Sequence, residues 1–453
     1  MRHLRSPILQ TLLVTLLFTV FVQAADPPDV STYTGSFADG ATYLIQVPSN
    51  WNGTLVLYSH GYNAGPNNPA YDVGDGTTGY VLLVNGFALA GSSYATTGWA
   101  VREAIPDQMQ VLATFRTIAG NPQRTIAWGH SMGGLITAAL AQQYPDYFQA
   151  AIPMCGVVGG GVGTWNQFLD PGYALNTLMG AGSGLQVVNI SNPTNNINIA
   201  NGLLYDAQLT AQGRARIALI AALADVPGWF DSTLPPPAPT DYVTQEGNQY
   251  DWLGSAVFPF TFYYRAEMES RAGGNPSFNT GVDYAQQLNL SADATEVRAL
   301  YAQAGLDLNT DLQTLNSSQR IAANQQSLGY LEQNIDLYRP QSIPTLTMHT
   351  EGDGLVSVQH ESAYRVLGGP ASPELRQTFV HRAGHCAFTA GETLAVFAAV
   401  IRRLDDGAWS GLTPAELNAE ANRLVPVWNL IWSPAFETLT PAPFLRPFYG
   451  YPQ

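Results

Sequence analysis

From Ala41 to about Pro153, short apolar runs alternate with longer stretches of helical periodicity. Thr54–Tyr58, Phe87–Ala90, Thr125–Trp128 and Ala150–Pro153 carry no charged side chain, the pattern of strands buried on both faces. Arg102–Ile118 and Gly133–Gln143 read as the helices between them, the second rich in alanine and leucine and stopped ahead of Pro145. Glycine-rich Gly156–Gly163, a hinge or an ordinary loop, leads into a different region. There the periodicity is helical, as in Ala211–Leu223 and Ala294–Ala304, broken by Pro235–Pro237 and by an aromatic stretch, Tyr250–Tyr264. Strand-like Ile343–His349 and Arg376–Val380, flanking a helix over Glu361–Leu367, restore the first pattern. Helices are predicted over Thr393–Leu404 and Pro414–Leu424, and the proline- and aromatic-rich tail suits an extended wrap. The chain therefore predicts an α/β fold: a mostly parallel central sheet, helices on both faces, and a mainly helical cap between the sixth and seventh strands. The expected division is a core of residues 25–160 and 339–453 with a cap of 161–338.

Residues 1–24 fall outside that pattern. Arg2 and Arg5 precede an apolar run, Ile8–Val22, that ends in Val22-Gln23-Ala24. A basic start, a short apolar middle and small residues at the end read as a signal peptide, with a retained anchor as the alternative; a membrane span needs about 20 apolar residues. The expected location is outside the cytoplasm, extracellular or periplasmic, with no stable membrane anchor after cleavage.

Composition then narrows the chemistry. All 19 basic residues are arginine. Without lysine there is no Schiff-base enzyme, no pyridoxal-phosphate lysine and no P-loop. A net charge of −15 repels polyanions, so nucleic acid is not an expected partner. The seven histidines form no ligand-like spacing, and no metal or cofactor is expected.

The strongest local signal is Gly129-His130-Ser131-Met132-Gly133, between a predicted strand and a predicted helix. A serine on such a turn needs glycines around it for steric reasons, and its hydroxyl stands clear of the sheet. A serine hydroxyl is a poor nucleophile until an imidazole takes its proton, and the imidazole needs an acid to fix its tautomer. Asp353, in a turn between two glycines after strand Ile343–His349, is the expected acid, ahead of Glu351. His385, after Gly384, is the expected base, ahead of His381 at the strand end. His349 lies in a strand, His360 at a helix start and His130 beside the nucleophile, which leaves them out. Backbone donors for an oxyanion are assigned to the amides of Met132 and Tyr62, the latter in Ser59-His60-Gly61-Tyr62 after strand Thr54–Tyr58. His60 reads as a loop-ordering hydrogen bonder. Among 34 acids, a carboxylate pair for glycoside cleavage carries no signal.

These motifs resemble the α/β-hydrolase superfamily, among its esterases and lipases, over about Ala41–Pro153 and Ile343–Leu404. A partial similarity is to tannases and feruloyl esterases, which pair a cysteine after the catalytic histidine with one before the catalytic serine. Here His385-Cys386 supplies the first, and His130 stands in the other place. Cys155, at the end of the strand beside the one leading to Ser131, is the predicted partner of Cys386. The resemblance implies a secreted carboxylic ester hydrolase acting through an acyl-enzyme on a small-molecule or oligomeric ester, with a serine peptidase of aminopeptidase type as the rival. The crowded Phe258, Phe260 and Phe262 suggest an aromatic wall for an apolar or aromatic acyl group, or the cap's own core.

Overall fold

The computed structural model describes residues 29–449 apart from 69, 72, 336, 370–371 and 426–431; the expected signal peptide lies outside them. Nine strands form one sheet: β1 (Val30–Ser36), β2 (Thr42–Pro48), β3 (Thr54–Ser59), β4 (Ala88–Ser92), β5 (Arg124–His130), β6 (Ala150–Met154), β7 (Thr345–Gly352), β8 (Leu375–Ala383) and β9 (Phe436–Glu437). Their order is β1-β2-β4-β3-β5-β6-β7-β8-β9. From β4 to β8 every pairing is parallel, and the antiparallel pairs sit at the two edges.

The apolar runs sort by parity. Leu55 and Leu57 face one core, with helices α2 (Val101–Ala119) and α3 (Met132–Gln143), which follow α1 (Gly76–Val84) in the chain. Val56 and Tyr58 face the other, where Leu394–Val400 of helix Ala390–Asp406 pack. Period-two strands covered on both sides bury nearly every side chain, which is why these runs read as continuously apolar.

Helices from Gly161 to Ile335 lie between β6 and β7 in the chain. The first, α4 (Gly161–Met179), begins within the glycine-rich run, and residues 156–163 are all buried. The inserted helices share one apolar cluster with α2 and α3: Trp165, Phe168, Phe258 and Phe262 join Val111, Leu135 and Ile136. Arg271, on an inserted helix, adds an ionic tie to the same α2, paired with Glu267 of its own helix at 2.7 Å and with Glu103 of α2 at 2.9 Å.

Candidate active site

Five strand ends meet at one edge of the parallel sheet. The loops after β3, β5, β6, β7 and β8 carry Gly61, Ser131, Cys155, Asp353 and His385, so all the expected site residues lie at carboxyl ends, where parallel sheets open a crevice.

Ser131 stands between β5 and α3 with φ 59° and ψ −124°, a strained conformation for any residue with a Cβ and one that costs about 1–3 kcal/mol. Two glycines permit the turn. A Cβ on Gly129 would come 2.4 Å from the Gly133 carbonyl oxygen, and one on Gly133 would come 2.0 Å from that of Ser59. The Ser131 N–H donates to the Met154 carbonyl at 3.0 Å, fastening the turn to β6.

His385 Nε2 is 2.9 Å from Ser131 Oγ, and its Nδ1 is 2.7 Å from Asp353 Oδ2. The imidazole keeps 21% of its side-chain surface exposed, while Asp353 is fully buried. The Asp353 carboxylate is also held from behind, its Oδ1 accepting the Leu355 and Val356 N–H groups at 3.0 Å each. Burial alone would raise this carboxyl, but His385 and His349 outweigh it and hold it well below the usual carboxylate range.

His349 was not legible as part of the site. Its Nε2 lies 3.5 Å from Asp353 Oδ2 and 2.8 Å from the Val356 carbonyl, and its Nδ1 is 3.2 Å from Glu361 Oε1. Burial pushes the imidazole down, yet the Asp353 and Glu361 carboxylates outweigh that and lift it to about 10. A raised folded-state pKa means stability that is complete below the ordinary value of 6.5 and is lost as pH rises through about 10. His349→Gln is therefore expected to flatten the alkaline limb of stability. Urea midpoints measured from pH 6 to 10 should fall more steeply in the wild type than in the variant; parallel curves would exclude a charged His349.

The losing candidates of the sequence pair with one another. His381 Nδ1 is 2.7 Å from Glu351 Oε2, so neither is offered to Ser131. Burial pushes His130 and His360 down to about 3, leaving both neutral. His60 stacks on Tyr94 with ring centroids 4.0 Å apart, and its Nδ1 is 2.8 Å from the Gly61 carbonyl oxygen. That contact holds the loop expected to present the Tyr62 amide. The loop lies against Ser131, since a Cβ on Gly61 would be 3.3 Å from Ser131 Cβ. Met132 opens α3, where the first amides of a helix have no intrahelical partner.

Cys155 and Cys386 form a disulfide that joins the end of β6 to the residue after His385. Both cysteines have positive φ, 42° and 54°, as Ser131 does. The Thr350 hydroxyl donates to the Gly384 carbonyl at 2.6 Å, so the loop bearing His385 is fixed from both sides. Replacing both cysteines with serine is expected to cost about 2–5 kcal/mol. It should also lower kcat under conditions where the fold persists. Melting and steady-state rates measured together test this, and unchanged rates in a folded variant would remove the positioning role.

The aromatic stretch divides in two. Residues 253–257 and 259–264 form widened, π-type helical turns, so side chains four apart share a face. Phe258 and Phe262 are buried with centroids 5.1 Å apart, as core. Phe260 and Tyr264 turn to the Gly61–Tyr62 loop, their rings 5.1 and 5.2 Å from that of Tyr62.

A serine on a strand-to-helix elbow, an imidazole and a buried carboxylate, linked at hydrogen-bond distance at the carboxyl ends of one parallel sheet, have the arrangement that serine hydrolases use. The chain belongs to the α/β-hydrolase family. The family model, described as the alpha/beta hydrolase fold, matches residues 56–184. The chain is 30% identical to the o-phthalyl amidase of Xanthobacter agilis over 448 residues, covering 88% of this chain and 96% of that protein. Solved structures that it resembles include feruloyl esterase B from Aspergillus oryzae, at 12% identity and TM-score 0.42 over 84% of this chain and 82% of that one. Another is the cell wall degrading esterase LipA from Xanthomonas oryzae, at 14% identity and TM-score 0.38 over 83% and 90%.

Proposed function

We propose that the protein is a secreted serine hydrolase that cleaves carboxylic esters of an aromatic acyl group through an acyl-enzyme. The observation that carries it is the unbroken chain from Ser131 Oγ to His385 at 2.9 Å and from His385 to Asp353 at 2.7 Å. Ser131 attacks the carbonyl carbon as His385 Nε2 takes its proton. The Met132 and Tyr62 amides receive the charge that builds on the carbonyl oxygen, each worth about 3 kcal/mol. His385 returns the proton to the leaving oxygen, and water, deprotonated by the same nitrogen, releases the acid. Asp353 holds the Nδ1 proton throughout.

The aromatic preference rests on Phe260 and Tyr264 beside Tyr62; in this reading the inserted helices, residues 161–338, act as a cap over the acyl side of the site. Secretion rests on the leader-like residues 1–24 and on the disulfide; among the described residues no helix is long and apolar enough to cross a membrane.

A second reading, cleavage of aromatic amides, is favoured by one finding: the relative that matches nearly end to end is an amidase, named for an aromatic acyl group. An aminopeptidase would need a seat for an ammonium terminus. The inserted helices do bury acids, but burial lifts Glu296 to about 9 and Glu246 to about 7, so at neutral pH the first is largely protonated and the second about half so.

The test sets benzoyl and 2-carboxybenzoyl compounds against acetyl and octanoyl ones, each as nitrophenyl ester and as nitroanilide. The expected result is a higher kcat/KM for the aromatic acyl esters than for the aliphatic ones. Anilide turnover with the same acyl preference would move the assignment to amidase. Equal rates across acyl groups would remove the aromatic reading, and no turnover of either linkage would remove the hydrolase.

A further inference from the structure

Away from the catalytic serine, on the outer part of the sheet, three side chains converge from three strands. Glu351 comes from β7, His381 from β8 and Glu437 from β9. The pairing of β7 with β8 slips between Thr350 and Gly352, and this bulge places Glu351 beside His381. Glu437 stands opposite Phe379, two residues from His381 and on the same face. One ligand atom of each lies within 4.8 Å of the other two. His381 Nδ1 is 2.7 Å from Glu351 Oε2 and 3.3 Å from Glu437 Oε2.

We propose that Glu351, His381 and Glu437 form a site for a divalent transition metal of the zinc type. The spacing suits it. Two ligands each about 2.0–2.1 Å from one ion stand about 2.9–3.4 Å apart at octahedral to tetrahedral angles, so the two His381 contacts, at 2.7 and 3.3 Å, need shifts of only tenths of an ångström. The donor set also suits it, since an imidazole with two carboxylates prefers zinc to calcium, which takes six to eight oxygens. Charge points the same way: two carboxylates face one imidazole, and Glu437 Oε1 is buried without a hydrogen-bond partner. Access is open, because His381, Glu351 and Glu437 keep 47%, 34% and 24% of their side-chain surface exposed, and Glu351 also lines a cleft of about 470 Å³. On binding, the Nδ1 lone pair holds the ion while the single ring proton sits on Nε2, and any proton displaced from Nδ1 passes to solvent. The site does not depend on the proposed reaction. Its effect is mechanical: it ties β9 to the ends of β7 and β8, two residues before Asp353 and four before His385.

The test uses the tag-free mature protein, stripped with a chelator and dialysed against micromolar zinc or calcium. Metal content after desalting and the melting temperature are the readouts. The expected result is one zinc and no calcium per chain, with a rise in melting temperature. His381→Asn and Glu437→Gln should each weaken zinc binding at least about tenfold, and Ser131→Ala should leave it intact. Zinc X-ray absorption on the wild type, which needs no variant to fold, should show one imidazole nitrogen with the remaining ligands oxygen. A wild type that retains no zinc, variants that bind like the wild type, or a spectrum with several imidazoles would each overturn the site.

Discussion

Ser131→Ala is expected to lower kcat by a factor on the order of 10⁵ to 10⁶, because it removes the atom proposed to form the acyl-enzyme. The fold should survive. The backbone bonds of this residue, from its N–H to the Met154 carbonyl and from the Gly134 N–H to its own carbonyl, do not involve the hydroxyl. The hydroxyl itself bonds to His385 at 2.9 Å. Adding His385→Ala to Ser131→Ala should cost almost nothing more, since the two groups act as one unit. Ser131→Gly separates strain from chemistry. At φ 59° a glycine relieves about 1–3 kcal/mol of backbone strain, less its own entropy cost of about 0.5–1 kcal/mol. It should therefore be as inactive as the alanine variant and melt above it. Residual rates and melting curves of the purified variants decide the matter. Wild-type activity in either variant would exclude Ser131 as nucleophile, and a glycine variant melting below the alanine one would exclude the strain argument.

The parts of this molecule that the sequence made legible are those governed by local pattern. Strand runs such as Thr54–Tyr58 are buried on both faces and so carry no polar interruption, and the elbow glycines are dictated by atoms within a few residues of Ser131 or on the adjoining strand. What was hidden depends on residues distant in the chain. Glu351 and His381 ranked behind Asp353 and His385 on local grounds, the glycines beside each, but nothing local showed where they go, and only the slip between β7 and β8 makes them partners of each other. Glu437 arrives on a two-residue strand with no periodicity to announce it. His349 looked like an ordinary strand residue because the groups that charge it, Asp353 and Glu361, belong to a turn and a helix beyond. The spacing of Phe258, Phe260 and Phe262 suggested either an aromatic wall or the cap's own core, whereas the helical turns bury Phe258 and Phe262 and leave Phe260 between the core, on Phe168, and the Tyr62 loop. The pairing of Cys155 with Cys386 was legible because the chain holds two cysteines, one following the strand beside β5 and the other directly following His385, as the resemblance to tannases and feruloyl esterases implies for one partner of such a bridge.

Asp353→Asn is expected to lower kcat by about 10⁴ with little change in KM, through the tautomer of His385. The direction follows from which side of the group is already committed. Oδ1 accepts the Leu355 and Val356 N–H groups, so an asparagine keeps its carbonyl there and turns its amide nitrogen to the place of Oδ2. That nitrogen donates, so His385 Nδ1 must accept, and the ring proton moves to Nε2, pointing at the Ser131 hydroxyl. A base that already carries its proton cannot take another from the serine. The same substitution withdraws a negative charge from His349, leaving its imidazolium with Glu361 as carboxylate partner. Stability should therefore drop as well, and the drop should shrink in the double variant with His349→Gln, while the catalytic loss should not. Rates rising with pH in Asp353→Asn, as hydroxide substitutes for the missing base, would fit a tautomer trapped in the wrong form. A loss that His349→Gln restores would place the defect in packing behind the acid and remove the tautomer account.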